Sequence, residues 1–281
     1  MRKSSNYIIE IKDLLSKKEQ LEKLELNALI EEIKEVVSTK GYCVLRNTGL
    51  KNLNMDKKTV LSFFLSQMGS LTQHKTNSNI CDTESQFWDI KFRGEEYIKV
   101  NQTTFSEQTG ACPLHSDSSF ISQPEDYLVM YVVKPAYKGG ESLYLSYETI
   151  VNSLKSTQEG KKCLDILNEN NYPFKTPKSF DENETVIFAK ILDINNQTIR
   201  FRHDCIQKGM TTYEINNHSE MIWALDFLTS LINESKETQE FQAIEDDLII
   251  IDNLRGLHAR KPFADTDRHY IRARVTKHDF S

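Results

Sequence analysis

Ala111-Cys-Pro-Leu-His-Ser-Asp-Ser-Ser-Phe120 carries an imidazole and a carboxylate two residues apart, His115 and Asp117. On an extended strand, residues i and i+2 point to the same face, so both groups can reach one metal ion. Taken alone, such a pair more often reads as surface polarity or as a simple hydrogen bond. What flanks it decides between these readings.

Downstream, Tyr127-Leu-Val-Met-Tyr-Val-Val133 is apolar, β-branched and aromatic, long enough for a buried strand. Lys138-Gly-Gly-Glu141 reads as a turn, and the alternating Ser142–Ser146 as its hairpin return. Helices are expected over 148–154, 161–168 and 218–236, a loop around Pro173 and Pro177, and a hairpin of 185–192 with 198–203 about Asn195-Asn196. Asp246-Asp-Leu-Ile-Ile-Ile-Asp-Asn253 is a strand entering a turn, followed by Gly256-Leu-His258-Ala-Arg260 and a last strand, Arg268–Val275. Upstream, apolar residues at 3–4 spacing predict a helix over 8–38, stopped by Gly41. A strand at 42–46 and a helix over 57–68 follow, and residues 70–96 read as polar and irregular. The pattern is mostly β with helical insertions (α+β): one domain over 1–281, with a helical and strand part to 70 and a β-rich barrel or double-sheet roll over 97–275, interrupted by helices about 148–236.

At 281 residues, with 38% hydrophobic and 27% charged residues, the chain has ordinary globular composition. A net charge of −6 argues against nucleic-acid binding. No apolar run approaches the ~18 residues of a membrane span, and the N-terminus lacks a secretion signal, so a cytoplasmic protein is expected. Cysteines 43, 81, 112, 163 and 205 are odd in number and form no CxxC pair, which points to reduced, packed thiols.

Enzymes that activate O2 at non-haem iron hold Fe(II) with two His and one carboxylate on one face, leaving the other positions open. His115 and Asp117 supply two of these. A third must come from a distant strand that neighbours the first, and His258, after the 248–251 strand and its turn, is the natural candidate. The histidines at 74, 203, 218, 269 and 278 have weaker contexts.

Three blocks in order then resemble the taurine dioxygenase and clavaminate synthase-like family of Fe(II)/2-oxoglutarate-dependent dioxygenases. Pro113-Leu-His-Ser-Asp117 is similar to its proximal ligand motif. Gly139-Gly-Glu-Ser142 is similar to the strand whose hydroxyl binds 2-oxoglutarate. Asp252-Asn-Leu-Arg-Gly-Leu-His-Ala-Arg260, with Arg268 and Arg272, is similar to its distal His and arginine block. The resemblance implies a double-stranded β-helix (jelly roll, cupin-like) core and Fe(II), 2-oxoglutarate and O2 as metal and cosubstrates. It implies His115, Asp117 and His258 as iron ligands. It also implies that Ser142, 27 residues after His115, and one of Arg268 and Arg272, 10 and 14 after His258, hold the distal carboxylate of 2-oxoglutarate. A guanidinium fork suits that carboxylate; Arg268 is favoured for it, and Arg272 for the iron-bound carboxylate or the substrate. The competing reading of these arginines is solvent-facing ion pairs with Asp265 or Asp267.

The implied reaction is hydroxylation of an unactivated C–H bond in a small polar substrate, such as a free amino acid or related amine. The carboxylate at Asp117 favours hydroxylation over halogenation. Gln102, Asp89, Glu107 and a 203–213 loop are candidates to face the substrate. A same-fold desaturase or cyclase, a peptide hydroxylase and a non-catalytic cupin-like binding module are the alternatives.

Overall fold

The computed structural model describes residues 7–13, 15, 23–54, 56–73, 85–94, 105–213 and 218–278. Among them, seven strands form the larger sheet. β1 (Ile8–Glu10) pairs parallel with β2 (Tyr42–Arg46). Beyond β2 come β13 (Leu248–Asp252), β6 (Tyr127–Lys134) and β15 (His269–Lys277), all antiparallel. The far side of β15 pairs with β3 (Gly69–Leu71) and β4 (Trp88–Lys91). The smaller sheet runs β12 (Gln239–Phe241), β7 (Ser142–Ser146), β14 (Gly256–Arg260) and β5 (Cys112–His115).

The period-two alternation of the central strands sets the layers. Leu248 and Ile250, Val129 and Tyr131, and Ile271 and Ala273 meet Ile30, Ile33 and Val37 of α1 (Lys23–Lys40) and Phe64 of α2 (Lys57–Leu65). Their neighbours Ile249, Ile251, Leu128, Val132 and Tyr270 face the other way, into the space between the sheets, with Tyr42, Trp88 and Tyr144. On the smaller sheet, Leu145 and Leu257 point outward under a helical layer. That layer comprises α3 (Tyr147–Lys155), α4 (Gln158–Glu169), α5 (His203–Thr212) and α6 (His218–Glu234). Ser146 and Thr157 cap α3 and α4, accepting from Thr149 N and Gly160 N.

Several expectations are corrected. Residues 142–146 are not the hairpin return of β6: β7 pairs with β12 and β14, so the 138–141 turn carries the chain from one sheet to the other. Gly139 and Gly140 take φ of +78° and +76°, and a Cβ at Gly139 would stand 2.3 Å from the Pro262 carbonyl oxygen. The double glycine therefore lets the crossover lie against the β14–β15 connection. Residues 8–10 form an edge strand instead of a helix, because parallel pairing to β2 outweighs a weak helical periodicity. Residues 69–71 and 88–91 are strands within the stretch read as irregular. Pro173 lies in a strand, β8 (Tyr172–Lys175), paired with β9 (Val186–Ala189); the hairpin about Asn195-Asn196 is only the short β10 (Leu192–Asp193) and β11 (Thr198–Ile199). The 203–213 stretch is α5 instead of a loop.

Gly256 fixes where β14 lies. A Cβ there would sit 2.2 Å from the Tyr144 hydroxyl, which is fully buried and donates to the Arg255 carbonyl at 3.1 Å. Gly256→Ala is expected to lower stability by about 1–3 kcal/mol through overpacking, read as a lower urea midpoint with unchanged slope. An unaltered midpoint would show that β14 can shift freely.

Candidate metal centre

The antiparallel register of β14 on β5 places His258 directly opposite His115, with ring centroids 4.3 Å apart. Asp117 follows in the turn after β5, where Ser118 takes a left-handed φ of +55°. Asn253 holds this turn: its Oδ1 accepts from the Asp117 amide at 2.7 Å, and its Nδ2 donates to the Asp117 and Glu125 carbonyls at 3.1 and 2.9 Å. Ligand atoms of His115, Asp117 and His258 all lie within 4.8 Å of one another, and all three residues are buried. Among the described residues, no other His/Cys/Asp/Glu group has this geometry.

The side chains present the correct atoms. Pro113's carbonyl lies 2.9 Å from His115 Nδ1, which makes that nitrogen a donor and turns Nε2 toward Asp117 Oδ1, 3.4 Å away. His258 Nε2 lies 3.8 Å from the same oxygen. Asp117 Oδ2 faces the other way and accepts from Arg274 Nε at 3.0 Å and Arg272 Nη1 at 3.4 Å. Burial pushes the Asp117 carboxyl up, but the guanidiniums of Arg274 and Arg272 outweigh it and hold the group well below the usual range. Burial pushes the His115 imidazole down, but Cys112 and Asp117 beside it outweigh this and hold it up at about 10. Burial, with the charge of His115, pushes His258 down to about 3. A divalent cation takes a carboxylate and neutral imidazoles, so its binding at this cluster displaces the His115 proton.

The three residues open into a cavity between the sheets. Ser142, Arg268 and Arg272 line it, and so do Phe105, Phe120 and Phe180. On β15, and at Arg268 just before it, the even positions face inward, so Tyr270 enters the apolar sandwich while Arg268, Arg272 and Arg274 enter the cavity. All three arginines are buried, which excludes solvent-facing pairs; Asp267 pairs instead with Lys134. Arg268 stacks on the Tyr270 ring at 3.8 Å and Arg272 on Trp88 at 4.7 Å. Burial, with the charge of Arg274, lowers Arg272 to about 10.

Other candidates fall elsewhere. Gln102 lies outside the described residues. Asp89 pairs with Lys58 and His269, both at 2.7 Å, and Glu107 with the Trp88 indole at 3.2 Å and Arg93 at 3.5 Å; neither lines the cavity. His218 opens α6 with its Nε2 3.1 Å from the Met210 carbonyl. The sequence reading missed Asn253, Arg202 and Arg260. Arg260 is buried and donates to the carbonyls of Phe105, Gln108, Gly110 and Lys261. Its inward parity with His258 on β14 was the available signal.

A sequence model described as "Taurine catabolism dioxygenase TauD, TfdA family" matches residues 10–274. A search of curated protein sequences finds no match. Among solved structures, an asparagine oxygenase in complex with Fe(II), 2S,3S-3-hydroxyasparagine and succinate superposes with a TM-score of 0.70 at 13% identity, covering 96% of this chain and 93% of that one. The non-heme iron oxygenase OrfP, in complex with Fe and alpha-ketoglutaric acid, gives 0.67 at 17% identity, covering 94% and 83%. PvcB from Pseudomonas aeruginosa gives 0.58 at 15%, covering 88% and 79%. At such identities the likeness is one of fold.

Asn253→Ala leaves the Asp117 amide and two carbonyls without their partner. It is expected to lower stability by about 1–3 kcal/mol and to weaken divalent-metal binding roughly 10–100-fold. Denaturant unfolding and Co(II) titration read these separately; undiminished Co(II) affinity would mean Asn253 does not position Asp117.

Proposed function

The chain belongs to the TauD/TfdA family of dioxygenases, and on that premise we propose that it is an Fe(II)- and 2-oxoglutarate-dependent oxygenase hydroxylating an unactivated C–H bond of a small polar substrate such as a free amino acid. The observation that carries this reading is the His115–Asp117–His258 cluster opening into an arginine-lined cavity. Two imidazoles and one carboxylate leave half of an octahedral iron's positions for ligands from the cavity. The solved asparagine oxygenase and OrfP complexes, which hold hydroxylated asparagine and arginine, support a free amino acid as the substrate class.

Each residue has a task in this reading. His115 and His258 offer Nε2 and Asp117 offers Oδ1 to the metal. Arg274 and Arg272 keep the second Asp117 oxygen engaged, so the carboxylate stays ionised and in one orientation. Arg268, held flat on Tyr270, and the Ser142 hydroxyl bind the distal carboxylate of 2-oxoglutarate. Phe105, Phe120 and Phe180 shield the cavity from water. Bound there, Fe(II) with 2-oxoglutarate and O2 supplies the oxidising power, and succinate and CO2 are the by-products. Asp117 fills the carboxylate position, which favours hydroxylation over halogenation.

Among the described residues no helix is long and apolar enough to cross a membrane. The unpaired, buried thiols of Cys43, Cys112, Cys163 and Cys205 support the reducing cytoplasm as the site of action.

The purified chain with Fe(II) and ascorbate is expected to convert 2-oxoglutarate to succinate in a substrate-stimulated way, and His115→Ala and His258→Ala should each abolish it. Full activity in both variants would dismiss the assigned site. Arg268→Ala is expected to raise the KM for 2-oxoglutarate roughly 30-fold or more, the loss of a buried charge partner. If Arg272→Ala does so instead and Arg268→Ala does not, the two arginines exchange roles.

A further inference from the structure

The cavity presents more guanidinium donors than iron and 2-oxoglutarate engage. Its described lining holds five guanidiniums, of Arg202, Arg260, Arg268, Arg272 and Arg274, and one carboxylate, Asp117, with Asp204 behind Arg202 and the buried Glu107 and Glu125 near Arg272. Fe(II) and the 2-oxoglutarate dianion cancel each other in charge. Arg260 is committed to backbone carbonyls, Arg274 to Asp117, and Arg268 to the cosubstrate in the reading above. Arg272 keeps Nε and Nη2 buried without a partner among the described residues.

Arg202 stands apart from the β15 arginines, at the start of α5. Only 9% of it is exposed. Its guanidinium lies over the Phe105 ring at 5.4 Å and the Phe120 ring at 5.6 Å. Asp204 takes one edge of the fork, accepting from Nε at 3.0 Å and Nη2 at 3.4 Å. Nη1 has no partner among the described residues. The residue is also rigidly tied to the metal cluster: the Ser116 amide donates to the Phe201 carbonyl at 2.8 Å, and the Phe201 amide donates to Ser116 Oγ at 3.0 Å. Ser116 lies between His115 and Asp117. A guanidinium flattened by two rings, fixed on one edge by a carboxylate and open on the other, is prepared to bind an oxyanion.

Resting on the oxygenase reading above, we propose that Arg202 anchors an anionic group of the substrate, and that the substrate carries net negative charge, as a dicarboxylic amino acid does. Arg272 takes one carboxylate beside the metal and Arg202 takes the other from across the cavity. Asp204 and Asp117 already stand beside these two guanidiniums, so what a second substrate carboxylate fills is their remaining donors, Nη1 of Arg202 and Nε and Nη2 of Arg272, which a charged oxyanion satisfies more strongly than an amide oxygen does.

The test uses the full chain loaded with Fe(II) and 2-oxoglutarate and measures succinate release with L-aspartate, L-glutamate, L-asparagine, L-glutamine and L-arginine. The acids should stimulate turnover more than their amides or arginine. Arg202→Gln should raise the KM for the better acid roughly 30-fold or more, Arg202→Lys should do so less, and the KM for 2-oxoglutarate should not change. Should Arg202→Gln fail to fold by circular dichroism, Arg202→Lys and the wild-type preference decide. Amides or arginine performing as well as the acids, or a KM for acid indifferent to Arg202, would overturn the proposal. So would a chain that forms the anaerobic Fe(II)/2-oxoglutarate absorption band yet responds to neither acid, with the oxygenase reading left intact. Absence of that band would bring down the oxygenase reading and this one with it.

Discussion

Asp117 is a carboxylate buried at the junction of two sheets, and its ionisation ties the open end of the sandwich together. One oxygen faces His115 and His258 on the smaller sheet; the other accepts from Arg272 and Arg274 on the larger one. A lone carboxylate in such surroundings would take up a proton. The two guanidiniums prevent that, and in doing so clamp β15 over the turn that follows β5. Removing either partner strands a charge in the interior, so the pair is costly to break even where its net contribution to stability is small. The same contact leaves Oδ1 uncommitted, which is why a structural ion pair and a metal ligand can reside in one side chain.

The site is a modification of the hydrophobic sandwich instead of an addition to it. From Arg268, just before β15, the inward positions read Arg268, Tyr270, Arg272, Arg274, and along β14 they read Gly256, His258, Arg260. Apolar side chains between the sheets give way to cationic ones over a few residues, and the backbone ladders shift register there, between His269 and Tyr270 on β15 and between His258 and Arg260 on β14. Strands hold functional groups more tightly than loops do. Asp117, Arg202 and Arg268 lie outside strands; the first two are fastened by hydrogen bonds to buried backbone, Asp117 through Asn253 and Arg202 through Phe201 and Ser116, and Arg268, just before β15, by its stack on Tyr270.

What could be read beforehand follows from this. His115 and Asp117 were legible because i and i+2 share a side, and the β15 arginines because i and i+4 do. His258 was legible as the histidine placed just after an apolar strand and its turn. Arg260 has the same parity as His258 on β14, but an arginine at a strand's end is exposed so often that parity alone does not announce burial among four carbonyl acceptors. Asn253 and Arg202 matter through contacts that span 136 and 85 residues, which no local pattern records. The double glycine reads as a turn in either topology; only the approach of Pro262 shows that it switches sheets. Residues 8–11 carry Ile8, Ile9 and Ile11, a spacing compatible with a helix until a neighbouring strand edge is present.

The charge arrangement has an energetic consequence beyond geometry. Burial and the nearness of Arg268 bring Arg260 down to about 10, and Arg272 reaches about 10 beside Arg274. Both remain protonated at neutral pH, so the fold holds like charges together in a cavity of low polarity. That repulsion opposes folding and is overcome by the apolar layers on either side. An anion entering the cavity is stabilised by guanidiniums already oriented by Tyr270, Trp88, Phe105 and Phe120, with little reorganisation on binding. Because the anion binds only the folded state, its binding also stabilises the fold by mass action. The stacking aromatics therefore serve twice: they bear the cations before ligand arrives, and they set the planes in which carboxylates must lie.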